Sequence, residues 1–131
     1  MEFEIKFKDG DGIADLEIAL SGISTPASLV KLNEALTGDA RFRTGMTMIA
    51  DLTTLNTHDL TDVGLQGLSN TVVERDWHHM PSAVAIIAPG ERTYNAALSY
   101  RAHLGGSRSH REVFRSRAEA VAWLEAQHRS D

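Results

Sequence analysis

The longest apolar run of the chain is Ala83-Val84-Ala85-Ile86-Ile87-Ala88. Pro81 precedes this run, and Pro89-Gly90 follows it. A short run without polar residues, bounded by chain-breaking residues, is typical of a strand that is covered on both faces. Strands of this kind occur mainly in parallel sheets flanked by helices. The run therefore predicts an interior strand of an α/β domain.

Alternating apolar and charged residues open the chain. Phe3, Ile5 and Phe7 are separated by Glu and Lys, which predicts a strand with one buried and one solvated face. The Asp-Gly-Asp-Gly sequence at residues 9–12 predicts a turn. Apolar residues within 13–20 predict a second strand, so the two strands are expected to form an antiparallel hairpin.

Four later segments carry apolar residues at helical spacing. The helices are expected to begin near Pro26, Thr61, Glu91 and Ser116, and further strands are expected at residues 46–51 and 112–114. Ser24 or Thr25 would cap the first helix and Thr61 the second. The predicted order is β-β-α-β-α-β-α-β-α. It describes a single domain over residues 1–131, with a mixed, mostly parallel five-stranded sheet and four helices.

Composition excludes several classes of protein. The chain has 131 residues, of which 42% are hydrophobic, as expected of a folded domain rather than a disordered one. A net charge of −5 disfavours nucleic-acid binding. The absence of cysteine removes disulfides and thiolate metal sites. The start of the chain shows no secretory signal, and no apolar run approaches the roughly 20 residues of a membrane span. We therefore expect a cytoplasmic protein.

The sequence resembles the SpoIIAA-like family of the STAS and CRAL-TRIO-like fold group, which includes anti-sigma-factor antagonists and sulfate-transporter tails. The segments that carry the resemblance are Gly22-Ile23-Ser24, residues 45–53, residues 84–88, Tyr94-Asn95, residues 113–116 and residues 119–124. They cover nearly the whole chain and are mostly core and capping features. The resemblance implies a small non-enzymatic α/β domain that needs no cofactor.

In the antagonist branch of this family, a Ser at the start of the helix after the third strand is phosphorylated and switches partner binding. Alignment of that segment places Leu60 at the phosphoacceptor position. Thr61 follows and would serve as a phosphosite only if the alignment shifts by one residue. The alternative is that Thr61 only caps the helix.

Two groups of residues are candidates for ligand binding. In open α/β sheets, ligands bind beyond the carboxyl ends of the strands. Asp51 and Thr53 at one predicted strand end and Arg92 at another are the candidates there. The alternative is that Asp51 accepts hydrogen bonds from nearby backbone amides and that Arg92 is solvated.

An arginine-rich segment supplies the second group, which includes Arg101, Arg108 and Arg111. Guanidinium groups match phosphate and carboxylate geometry, so an anionic or lipid-like headgroup fits this segment. The alternative is a helix C-terminus that favours cations, followed by a solvated turn.

Catalytic and metal motifs are absent from the sequence. No His pair at helical spacing and no G-x-S-x-G motif occurs. An enzyme would need a polar cluster assembled from Asp51, His58, Glu91 and Arg92.

The sequence therefore favours a non-catalytic STAS-like binding or regulatory domain that acts through contacts with a protein partner. The alternative is a domain that binds a small anionic or amphipathic molecule. Glu2, Glu4, Lys6 and Lys8 guard the first strand against open-ended edge pairing, whereas a homodimer formed through helices is compatible with the pattern.

Overall fold

A computed structural model of the chain describes residues 1–7, 13–57, 60–61, 64–67, 70, 72, 81–104 and 110–129. The strands are β1 (Glu2–Phe7), β2 (Leu16–Ile23), β3 (Thr47–Asn56), β4 (Ala83–Ile87) and β5 (His110–Phe114). The helices are α1 (Pro26–Thr37), α2 (described at residues 64–67, 70 and 72), α3 (Glu91–His103) and α4 (Arg117–Arg129). The predicted α/β class and order of elements are confirmed.

The five strands form one sheet in the order β1-β2-β3-β4-β5. β1 runs antiparallel to β2, as the predicted hairpin requires, and the three other pairs are parallel. Because each parallel strand lies next to the preceding one, right-handed crossovers place α1, α2 and α3 on the same side of the sheet. We call this side the three-helix face. α4 follows β5 and packs on the opposite side, the α4 face.

Every residue of β4 is buried, as the apolar run predicts. Val84 and Ile86 join the core of the three-helix face. Ala85 and Ile87 join the core under α4. β4 lies between β3 and β5, so the run forms an interior strand covered from both sides.

Helix α1 begins with a capping box. The Ser28 N–H donates to the Thr25 hydroxyl at 3.1 Å, and the Thr25 N–H donates to the Ser28 hydroxyl at 2.9 Å. Pro26 occupies the first helical position, where its missing N–H costs nothing. Of the two predicted capping residues, Thr25 is therefore the one that caps the helix.

Helix α2 starts against the beginning of α1. The Gly64 N–H donates to the Thr61 hydroxyl at 3.1 Å, so Thr61 caps this helix as predicted. A β-carbon placed on Gly64 would lie 2.5 Å from Cγ of Pro26. Glycine is therefore the residue that allows the two helix starts to approach this closely.

Strand β3 is longer than the sequence prediction. The sequence predicts that the strand ends at Asp51, but it continues to Asn56. β2 also continues, to Ile23, and its residues pair with β3 as far as Asn56. Because β2 satisfies the backbone there, Asp51 lies within a strand and not beyond its end, and that expectation was wrong. The predicted turn at residues 9–12 lies outside the described residues.

Candidate functional site

A cavity of about 130 Å³ lies between the three-helix face of the sheet and helices α1, α2 and α3. Its floor is formed by apolar side chains of β2, β3 and β4. Its roof includes Leu32 and Leu36 of α1, Leu65 of α2 and Ala97 of α3. These four residues are buried. The interior of this side of the molecule therefore contains a space that is bounded mainly by hydrocarbon.

Two of the roof helices, α1 and α3, contribute polar side chains to this space. Asn33 shares the buried stripe of α1 with Leu32 and Leu36, and it is 8% exposed. Thr93 and Tyr100 line the cavity from α3. Polar groups inside an apolar wall can fix the orientation of a bound molecule, because they offer hydrogen bonds at only a few points.

The Thr93 hydroxyl has partners at the end of β3. It donates to the Leu55 carbonyl at 3.3 Å and lies 3.5 Å from the hydroxyl of Thr57. Both threonines are buried. These contacts connect the start of α3 to the end of β3. They hold the two threonines in place in the cavity wall.

Of the described residues that line the cavity, Arg111 alone carries a formal charge. Arg111 is the second residue of β5 and pairs in register with Val84 of β4. Its neighbour Val113 belongs to the core of the three-helix face, so strand alternation directs Arg111 to the same side. The side chain is 7% exposed. A guanidinium group with five N–H donors is thus held at the wall of an apolar cavity.

Asp51 and Thr53 lie away from this cavity. Asp51 pairs in register with Ala19 and Ile87, which places it on the α4 face. The backbone N–H of Thr53 donates to the Asp51 carboxylate at 3.0 Å, and the Thr53 hydroxyl donates to the same oxygen. A guanidinium N–H of Arg117 donates to the other carboxylate oxygen at 3.3 Å. These bonds agree with the predicted alternative for Asp51, in which nearby backbone amides engage the carboxylate.

The pKa of Asp51 reflects these contacts. Burial alone would raise that pKa, but the hydrogen bonds from Thr53 and the charge of Arg117 more than offset it. The pKa therefore lies below the usual value for Asp. The Glu17 carboxylate, and secondly Asp51, raise the pKa of Arg117. The cluster is a charge-paired network at the start of α4.

The candidate arginines are dispersed. Arg92 is exposed in the first turn of α3. Arg101, in the last turn of α3, forms an ion pair with Glu112 at 3.2 Å, and both side chains are about two-fifths exposed. Arg108 lies outside the described residues. Of the described residues in the two predicted groups, only Arg111 lines the cavity.

A metal site or an active site would require a cluster of suitable polar side chains. No group of three or more metal-ligating side chains occurs in the described ranges. Of the four residues that an enzyme would need, Asp51 is engaged by Thr53 and Arg117, and His58 lies outside the described residues. No helix within the described ranges is long and apolar enough to cross a membrane.

Sequence reasoning missed Asn33, Thr57, Thr93 and Tyr100. A signal for three of them was present. Asn33 lies at helical spacing from Leu29 and Leu36. Thr93 and Tyr100 lie four and three residues from Ala97, on one face of α3. A polar residue within an otherwise apolar helical stripe is the pattern that marks such positions.

The similarity of this chain to known proteins is limited to the fold. No protein-family model matches the sequence, and no curated protein matches it. A similar solved structure is that of an uncharacterised protein of the DUF3478 family with a SpoIIAA-like fold, from Shewanella loihica PV-4. The two chains are 18% identical, the match covers 93% of each, and the TM-score is 0.54. The chain has a SpoIIAA-like α/β fold, as the sequence resemblance predicts.

Proposed function

We propose that this chain is a non-catalytic binding domain that holds a small amphipathic anion in the cavity of the three-helix face. The apolar part of the molecule would lie between the sheet and helices α1, α2 and α3. Its anionic group would lie at Arg111. The observation that carries the proposal is a buried guanidinium in the wall of a cavity that is otherwise bounded mainly by hydrocarbon.

The volume of the cavity limits the size of the ligand. An engineered apolar cavity of about 150 Å³ in another protein binds benzene. A cavity of about 130 Å³ therefore suits an apolar body of similar size, either a single ring or a short alkyl chain. Hexanoate and benzoate are matched probes, because each joins such a body to one carboxylate.

The chemistry of Arg111 favours an anion. Its guanidinium carries five N–H donors, so a carboxylate can bind two of them while the chain engages others. Burial strengthens this contact because little water competes for the donors. Tyr100 and Asn33 line the same cavity and offer further polar contacts.

Thermal unfolding with added ligand tests the proposal. Hexanoate at a hundred times its dissociation constant should stabilise the fold by about 2.7 kcal/mol. Hexan-1-ol has the same number of carbon atoms without the charge and is the matched control, and it should stabilise the fold much less. Substitution Arg111→Met should remove the preference for hexanoate over hexan-1-ol.

The proposal makes two separate claims, and the experiment tests each of them. If hexanoate and hexan-1-ol stabilise the wild-type chain equally, the anionic contact at Arg111 is wrong. If no carboxylate or alcohol of this size changes the unfolding temperature, the binding function itself is wrong.

A second candidate function is regulation through contact with a protein partner. The observation that favours it is an exposed part of the sheet on the α4 face. Ala19 and Thr53 are both exposed there, on neighbouring strands. Thr61, exposed at the start of α2, is the candidate phosphosite, and a phosphate at a helix N-terminus would be favourable.

Site-specific photo-crosslinking in cells that express the chain distinguishes the two functions. A crosslinker at Ala19 should give one discrete adduct, whereas a crosslinker at exposed Ala102 of α3 should give none. Equal labelling from both positions would contradict the protein-contact function.

A further inference from the structure

Strand β1 lies at one edge of the sheet, and its sequence alternates apolar and charged residues. Within the described residues it pairs with β2 and has no neighbour on its other side. Six residues, Glu2–Phe7, therefore present one row of backbone donors and acceptors to the outside. Phe3 of this strand is 39% exposed, and among the described large apolar residues only Ile23 is more exposed.

The two faces of β1 differ in chemistry. Phe3, Ile5 and Phe7 pair in register with the buried residues of β2 and lie on the three-helix face. Glu4 and Lys6 lie on the opposite face, with their side chains 66% and 69% exposed. These opposite charges lie on either side of Ile5 and form an exposed ion pair with each other at 3.5 Å.

This pattern is complementary to itself in one antiparallel register. If Ile5 lies opposite Ile5 of a second copy, each Glu4 lies opposite a Lys6, and each Phe3 lies opposite a Phe7. The two neighbouring registers that keep the same faces together place Glu4 opposite Glu4, or Lys6 opposite Lys6, beside opposite-charge pairs such as Glu2 with Lys6. Like charges directly opposite are unfavourable, and only the register centred on Ile5 has none, so charge favours that register.

We infer that two copies of the chain associate through β1, antiparallel, about a two-fold axis at Ile5. The two five-stranded sheets then form one sheet of twice the width. The exposed Phe3 ring would be covered by Phe7 of the second copy, whose ring also lies under the Arg41 guanidinium. The association closes at two copies, because the strand at the other end of the sheet, β5, has a different sequence and a parallel neighbour.

Charge reversal tests this inference with its own matched control. Lys6→Glu gives two pairs of opposed Glu, and Glu4→Lys gives two pairs of opposed Lys. Each variant alone should raise the dimer dissociation constant by about tenfold or more. An equimolar mixture of the two variants restores opposite charges across the axis, and so does the double variant Glu4→Lys/Lys6→Glu.

Sedimentation equilibrium at several concentrations gives the oligomeric state. We expect a wild-type dimer, weakened single variants, and recovery in the mixture and in the double variant. Thermal unfolding of each variant confirms that the exposed substitutions leave the fold intact. A monomeric wild type, a dimer that both single variants leave unchanged, or a mixture no tighter than either single variant would overturn the inference. The inference uses no residue of the cavity, so it stands or fails independently of the proposed function.

Discussion

Arg117 and Glu17, one hundred residues apart in the chain, form a bidentate ion pair. The two terminal nitrogens of Arg117 donate to the two carboxylate oxygens of Glu17 at 2.8 and 3.1 Å. One of these nitrogens also donates to Asp51 at 3.3 Å. Arg117 is the first residue of α4, whereas Glu17 and Asp51 belong to β2 and β3. The contacts therefore connect the start of the last helix to the middle of the sheet.

Removal of this ion pair should weaken the fold modestly. Arg117 is about half exposed, and pairs at such positions contribute about 1 kcal/mol or less. We expect Arg117→Met and Glu17→Gln each to lower the free energy of unfolding, and the double variant to lower it by less than the sum of the two single effects. A double-mutant cycle by urea unfolding measures the coupling. Coupling that is zero at low ionic strength would contradict the role given to the pair.

The low pKa of Asp51 predicts a pH dependence of stability. Its folded pKa lies below its unfolded value of about 3.9, so its contribution is fully present above that pH. The contribution is lost as the pH falls through the folded pKa. We expect Asp51→Asn to be less stable than the wild type at pH 7, by about 1 kcal/mol or less. The difference should disappear at strongly acidic pH.

Unfolding of both proteins in urea over a range of pH checks this prediction. The difference between the two free energies of unfolding is the quantity to follow, because carboxylates remote from Arg117 titrate alike in both proteins. A difference that grows as the pH is lowered would contradict the assigned direction of the shift.

The contact between Gly64 and Pro26 predicts a large effect of a single methyl group. A β-carbon at Gly64 would lie 2.5 Å from the Pro26 ring, so Gly64→Ala requires the starts of α1 and α2 to separate. Overpacking of this kind costs about 1–3 kcal/mol. Gly67→Ala is the matched control in the same helix, because a β-carbon there meets no atom within 4 Å. It should be neutral or stabilise the fold by up to about 1 kcal/mol.

Thermal unfolding of the two alanine variants measures this contrast. Equal effects at Gly64 and Gly67 would contradict the close approach of the two helix starts.

Most strands and helix starts could be predicted from the sequence, because their signals are local. The alternation of β1, the apolar run of β4, and the caps at Thr25 and Thr61 each depend on a few neighbouring residues. The end of β3 could not be predicted in this way. Thr53 and Thr54 look like a polar loop in sequence, but they are exposed residues of a strand that pairs with β2 again from Thr54 onward, after a register shift. That pairing is a tertiary effect.

The candidate site was harder to predict for a related reason. Arg111 lies one residue before the predicted start of the fifth strand, so the sequence places it among the arginines of a solvated segment. The structure begins β5 at His110, and strand alternation then directs Arg111 to the same side as Val113. A single residue at a strand boundary thus decides whether a charge is buried or solvated. Asn33, on a helical stripe, could have been found by its spacing alone.

A cavity that can hold a ligand can also be filled by the protein itself. Ala97 of α3 lines the cavity and is buried. In Ala97→Leu, three additional carbon atoms enter the empty space, and each buried methylene contributes about 0.8 kcal/mol. We expect the free energy of unfolding to rise by about 1–2 kcal/mol. Because the added atoms occupy the space of the ligand, the stabilisation by hexanoate should be lost.

Ala120→Leu is the control for this prediction. Ala120 of α4 is fully buried in the core of the opposite face and lines no part of the cavity. The same enlargement there meets packed atoms and should destabilise the fold by about 1–3 kcal/mol, with hexanoate binding retained. Unfolding in urea, with and without hexanoate, compares the two variants. If Ala97→Leu destabilises the chain as much as Ala120→Leu, the space between the sheet and the three helices is already filled, and no ligand can occupy it.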